Sequence, residues 1–252
     1  MLFLFYVYIS GVKLFSKQRK QLIPGSNFSK YVAYAIGEII LVVIGILIAV
    51  SINNANERNK EKESFRATLQ ILKNDLVSDT TKVAGLMEYY KSRDSLYRVF
   101  LTPGVTEEDY RRSPMGFNLA LTYNPISLNR KAYGLLENYA AQSDVLNDSI
   151  VSESIELYLS SYQQLEDNQG RIARDIDQHM ADLSNNETWV IDMMRGKLTD
   201  PMMDYFTGKK YQGKLFLHVQ YVKGNLLRQL FLFKLKASDL LTRIDERLNT
   251  EE

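Results

Sequence analysis

An uninterrupted apolar run near the N-terminus constrains this chain more than any other feature. Residues 39–50 read IILVVIGILIAV, without one polar side chain. A helix that crosses the hydrocarbon core of a bilayer needs about 20 mostly apolar residues. The run reaches that length only if it extends from about Val32 to Ile52, which places Glu38 inside it. Because these residues offer water no polar face, the sequence predicts a transmembrane helix at residues 31–52.

The residues that flank this segment predict its orientation. Five basic residues and no acidic residue precede Glu38, whereas the basic residues after Ile52 are interleaved with glutamates. Basic residues favour the cytoplasmic side of a membrane. We therefore expect a basic cytoplasmic tail at residues 1–30 and an extracytoplasmic domain at residues 53–252. No Ala-x-Ala cleavage site follows the span, so we interpret it as an uncleaved signal anchor.

Glu38 shares one helical stripe with Val42, Gly45 and Ala49. Gly45 and Ala49 form a small-xxx-small pair, which lets two membrane helices approach closely. An ionisable side chain within a membrane is costly unless it faces protein or water. The sequence therefore predicts a membrane-helix contact through this stripe, with a second copy of the chain or with another membrane protein. Two alternatives remain: Glu38 reaches the cytoplasmic interface by snorkelling, or it takes part in proton transfer.

The membrane-proximal sequence resembles a known family. Residues 30–34 read KYVAY and are followed by AIGEIILVVIGILIAVSINN and a charged NERNK run. This pattern is similar to a domain-of-unknown-function family of single-pass membrane proteins that is abundant in Bacteroidota-type bacteria. A looser likeness continues at residues 132–136, AYGLL, and at residues 156–158, ELY. The resemblance implies a bacterial inner-membrane protein with a helical domain, and it implies no activity. Together with the predicted orientation, it places that domain in the periplasm.

The remaining sequence predicts an all-α fold, in which the membrane helix precedes a bundle of long helices. Three stretches between the prolines have apolar residues at helical spacing. The first covers residues 56–101, the second follows a capping cluster at residues 147–149, and the third repeats at heptad spacing from Leu226 to Leu248. Ser127 is predicted to cap a shorter helix that ends at Tyr139. Residues 188–191 and 215–219 have the composition of short strands, although few partner strands are evident.

Catalytic motifs are absent from the sequence. It has two histidines, no cysteine and no phosphate-binding or nucleophile-elbow motif, so we predict neither enzyme activity nor a cofactor. Asp175, His179 and Asp182 share a helical face that suits a divalent cation, but charged helix faces usually serve only solubility, so we interpret them as a solvated flank and predict no metal. Tyr158 and Tyr162 are read as core residues rather than as the lining of a ligand pocket.

Three function classes are compatible with this composition. The preferred one is a membrane-anchored helical interaction or scaffold protein of the bacterial envelope, whose partners are the bilayer and other copies or other membrane proteins. The alternatives are an extracytoplasmic sensor with a separate signalling partner, and an accessory subunit of a proton-driven membrane complex that uses Glu38. The 31 basic and 30 acidic residues are balanced, so no nucleic-acid partner is predicted.

Overall fold

The computed structural model describes residues 28–140 and 148–250, and these residues form helices without a strand. The predicted all-α fold is therefore confirmed. Most of the predicted basic tail lies outside the described residues, as does Asn147 of the predicted capping cluster. Contacts divide the chain into two units, residues 1–62 and residues 63–252.

Long helices account for most of the chain. Helix α1 spans Phe28–Lys91, begins in the first unit and ends in the second, and Gly85 does not interrupt it. Its N-terminal part contains a segment long and apolar enough to cross a membrane, with a mean hydropathy of 2.8, and none of that segment is buried. In the second unit, α5 spans Ser149–Asn186, and α9 spans Arg228–Thr250. A π-helical segment, Gln220–Leu227, joins α9 to the preceding helix α8, Lys209–Val219, without a turn.

Shorter helices connect these rods. They are α2 (Asp94–Leu101), α3 (Glu107–Arg112), a 3-10 turn (Pro114–Asn118), α4 (Lys131–Ala140), α6 (Val190–Met194) and α7 (Asp200–Thr207).

Three long helical segments form a bundle. They are residues 63–91 of α1, helix α5, and the continuous helix made of α8, the π-helical segment and α9. Asp148 caps α5 by accepting a hydrogen bond from the amide of Ile150 at 2.9 Å. Asp148 also pairs with Arg247 near the C-terminal end of α9. Arg66 of α1 donates to the carbonyl of Leu248, which is also near the C-terminal end of α9. Asp94, just after α1, pairs with Lys223, which precedes the N-terminal end of α9. Helices α1 and α5 are thus parallel to each other and antiparallel to α9.

The predicted apolar seams form the core of this bundle. Leu69, Leu72 and Leu76 of α1 are fully buried, as are Ile172 of α5 and Ile244 of α9. Asp148 confirms the predicted cap of the second long helix, since Ser149 is its first helical residue. The helices stabilise one another by burying these apolar stripes, because an isolated helix with an exposed apolar stripe is only marginally stable in water.

An aromatic cluster closes one end of the bundle. Phe100, Tyr110, Phe117, Phe206 and Tyr211 have ring centroids between 4.5 and 5.7 Å apart in successive pairs. The hydroxyl of Tyr110 donates to the carbonyl of Phe206, and that of Tyr211 donates to the carbonyl of Gly116, both at 2.9 Å. A Cβ at position 116 would lie 2.3 Å from the Phe100 ring, so only glycine fits there. The hydroxyl bonds explain how tyrosines tolerate this burial.

One local prediction is wrong. The helix expected from Ser127 begins instead at Lys131, because carboxylates of α1 hold the preceding backbone in another conformation. Asp79 accepts from the amide of Asn129, and Asp75 accepts from the amide of Ala132 at 2.8 Å.

The two stretches with strand-like composition are not strands. Residues 190–191 begin α6 and residues 215–219 end α8. In the second stretch Leu215 and Val219 are buried, and their spacing of four residues places them on one face of a helix.

Candidate functional site

The stripe predicted from the sequence lies on one exposed face of α1. Glu38, Val42, Gly45 and Ala49 are all exposed, and Val42 is 42% exposed. With 3.6 residues per turn, the four positions fall within a sector of about 60° around the helix. Leu47 lies about 180° from Glu38, on the opposite face. The four residues therefore form one continuous stripe on the surface of α1, and no other described part of the chain packs against it.

Gly45 has no role in packing within the described chain. A Cβ at this position would meet nothing within 4 Å, and its backbone is ordinary helix. A glycine in a helix interior costs about 0.5–1 kcal/mol relative to alanine. Gly37 is equally open, but it lies about 100° away from Glu38 on the helix. The two glycines thus form a natural pair, one on the stripe and one off it, for separating helix contact from helix propensity.

A second group of polar residues surrounds Asp79, which is fully buried in the bundle. Its carboxylate accepts from the Asn129 amide at 3.1 and 3.0 Å, from the Asn129 side chain at 2.9 Å and from the Tyr158 hydroxyl at 3.1 Å. Lys82 reaches the same carboxylate at 3.2 Å. Burial raises the pKa of Asp79, while the hydrogen bond from the Asn129 amide opposes that rise. Helical periodicity did not predict this network, because Asn129 and Tyr158 are distant from Asp79 along the chain.

The network explains the two tyrosines considered earlier as pocket residues. Tyr158 donates to Asp79, and Tyr162 donates to the carbonyl of Asn129. Burial raises the pKa of both hydroxyls, which stay protonated and serve as donors. Together with Asp75, these bonds tie residues 129–132 to α1 and α5. The buried side-chain oxygens of Asp79 and Tyr158 have hydrogen-bond partners within the protein, so the arrangement stabilises the fold.

The three residues weighed as a cation site turn to different partners. His179 is buried, and its Nε2 lies 2.8 Å from the Tyr205 hydroxyl. Asp182 pairs with Lys210 at 3.1 Å and Lys214 at 3.3 Å. Asp175 lies 3.6 Å from Nδ1 of His218. Among the residues that the structure describes, no group of three or more histidine, aspartate or glutamate side chains is arranged to hold a metal ion.

The buried histidines are held neutral by their surroundings. Burial, with a smaller contribution from Lys214, lowers the pKa of His179 to about 4. Burial also lowers the pKa of His218, against the opposing effect of Asp175. Both ring nitrogens of His218 are buried without a hydrogen-bond partner within residues 28–140 and 148–250. The π-helical segment begins two residues later, where helix α8 loses its regular hydrogen-bond spacing.

Two open cavities lie near the aromatic cluster. The larger, of about 440 Å³, has an apolar wall that includes Phe117, Met193 and Met202, with Arg111 and Lys197 at its edge. The smaller, of about 180 Å³, lies between the end of α1, the start of α2 and the 3-10 turn. Asn118 lines both. Sequence reasoning predicted neither cavity, because each is formed by short segments whose relative placement has no periodic signal.

Residues 38–100 extend from the membrane-helix stripe to the second last residue of α2. This segment matches the model of a family of unknown function, DUF6090. The match covers a quarter of the chain and supports the expected resemblance to a domain-of-unknown-function family. It includes the predicted contact residues and Asp79, but neither α5 nor α9. No curated protein and no solved structure matches the chain.

Proposed function

We propose that this chain is a membrane-anchored helical interaction or scaffold protein of the bacterial envelope. The observation that carries the proposal is the exposure of the apolar segment of α1, none of which is buried by the described chain. A core helix of a soluble protein would bury most of such a segment. In the proposed setting, lipid covers most faces of the helix, and a partner helix covers the stripe of Glu38, Val42, Gly45 and Ala49.

The proposed topology places the N-terminus in the cytoplasm and the bundle in the periplasm. Five basic residues before the span and the interleaved charges after it support that orientation. Helix α1 continues from the apolar segment to Lys91 without a break, which favours a retained anchor over a cleaved signal peptide. The resemblance to single-pass inner-membrane proteins of Bacteroidota-type bacteria agrees with this assignment.

A matched pair of glycine substitutions tests the proposed helix contact. Gly45→Ile should weaken self-association or partner binding in a bilayer by at least about tenfold, because the side chain blocks close approach of two helices. Gly37→Ile adds the same side chain off the stripe and should leave association unchanged. Förster transfer between labelled copies in vesicles, with copurification from membranes for a different partner, measures the effect. Equal effects of the two substitutions would contradict the proposed contact.

Substitution of Glu38 separates association from its alternatives. Glu38→Gln should change association only modestly, because an amide still forms hydrogen bonds across a helix interface. If proton transfer is the role of Glu38, the same variant assembles normally but is inactive in cells, since an amide does not exchange a proton at neutral pH. If Glu38 only snorkels, Glu38→Lys is accepted as well as Glu38→Gln.

A further inference from the structure

The smaller cavity combines buried aromatic walls with polar groups at its opening. Tyr90, Tyr97 and Leu119 form its buried walls, and Arg93, Asn118 and Thr122 also line it. Its volume of about 180 Å³ exceeds the roughly 150 Å³ that accommodates a benzene molecule in an engineered protein cavity. The space therefore accommodates one six-membered ring with a small substituent, and it is too small for a nucleotide or a folded peptide.

Arg93 is the charged residue of this lining, and it is held in place without a counter-ion. Its guanidinium carbon lies 3.5 Å from the centroid of the Tyr89 ring, and its Nη1 donates to the Tyr89 carbonyl at 3.2 Å. No carboxylate of the described residues pairs with it. The neighbouring acids have other partners, since Glu88 pairs with Lys91 and Asp94 pairs with Lys223.

The remaining donors of Arg93 suit a carboxylate. A guanidinium has five N–H groups in a planar fork, and the described contacts of Arg93 use one of them. Stacking on Tyr89 restricts the side chain, so little further ordering is needed when an anion binds. The cavity lining contains no acidic residue that would repel such a ligand. Asn118 and Thr122 add groups that hydrogen-bond a polar substituent.

We propose that this cavity binds a small aromatic carboxylate, with the ring between Tyr90, Tyr97 and Leu119 and the carboxylate on Arg93. The inference concerns the second unit alone and does not depend on the proposed membrane-helix contact. Such a site would let an interaction protein of the envelope sense an aromatic carboxylate outside the cell membrane.

Benzoate is the probe for this site, with the full-length chain in lipid nanodiscs and binding followed by calorimetry. We expect saturable binding with a Kd of about 1 mM or tighter. Benzamide, which has the same shape without the charge, and acetate, which has the charge without the ring, should each bind at least about tenfold more weakly. Absence of saturable benzoate binding, or equal affinity for acetate or benzamide, would overturn the proposal.

Three variants place the binding in the cavity. Arg93→Gln should weaken benzoate binding by about tenfold or more, whereas Arg98→Gln, at an exposed position on α2 that does not line the cavity, should leave it within about twofold. Thr122→Trp should abolish binding by filling the opening. Circular dichroism melting curves verify that each variant is folded. If Thr122→Trp does not fold, the arginine pair still decides, and equal loss in Arg93→Gln and Arg98→Gln would contradict the assignment.

Discussion

At the scale of single residues, most of the contacts that were not predicted from the sequence are hydrogen bonds of buried polar groups. Asp79 and His179 are both buried, and each is held by a partner that is distant along the chain. Helical periodicity identifies which face of a helix is apolar, but it does not pair a carboxylate with an amide fifty residues away. Asp175, His179 and Asp182 share a face as predicted, yet their side chains diverge because nearby helices offer Tyr205, His218 and two lysines.

His179 should make the stability of the fold depend on pH. Its pKa is lowered from 6.5 to about 4, so the unfolded chain binds more protons than the folded chain between these values. The free energy of unfolding should therefore fall as the pH falls from about 6.5 to 4, by about 3 kcal/mol from this residue. His179→Gln keeps a hydrogen bond to Tyr205 but does not titrate, so its stability should fall less over the same range.

Urea denaturation of the full chain in mild detergent measures this difference through the fluorescence of Trp189, the single tryptophan. Its ring packs against Tyr205, with centroids 5.4 Å apart, so it reports directly on the region of His179. His218 and the carboxylates titrate in both proteins, so the comparison isolates His179. Parallel pH profiles for the two proteins would show that His179 is not held neutral by burial.

At the scale of elements, the long helices were predictable and the short segments were not. Apolar residues at positions such as Leu69, Leu165 and Leu230 recur at helical spacing over many turns, and each of these three is buried. The segment at residues 127–130 has a capping residue and helix-forming neighbours, yet Asp79 fixes it in another conformation. The π-helical segment and the cavity near Arg93 likewise depend on contacts between helices, which a single-sequence pattern does not encode.

Neighbouring positions on α9 provide a test of the bundle. Leu230 is 1% exposed and Phe231 is 52% exposed. Leu230→Asp buries an unpaired charge and should lower the free energy of unfolding by several kcal/mol, enough to unfold the domain. Phe231→Asp places the same charge in water and should leave the helix content at 25 °C unchanged. Far-UV circular dichroism measures both. If both charges are tolerated, α9 is not packed as described.

At the scale of the whole molecule, the proposed membrane anchor precedes a helical bundle. Charge asymmetry around the span predicts that the bundle is outside the cytoplasm. A reporter enzyme that is active only in the periplasm should therefore be active when fused after Glu252 and inactive when fused to the N-terminus. The opposite pattern of activity would reverse the proposed orientation, and with it the proposed exposure of the Arg93 cavity to the periplasm.

The central claim is that the Glu38 stripe contacts another helix within the membrane. The chain has no cysteine, so single cysteines report on this contact without background. Oxidative crosslinking in native membranes should join copies with Val42→Cys or Ala49→Cys, and it should fail with Leu47→Cys on the opposite face. If a different membrane protein is the partner, the first two variants should instead give one heterologous adduct with a thiol-to-amine crosslinker. Equal yields at all three positions, or no adduct at any, would contradict the claim.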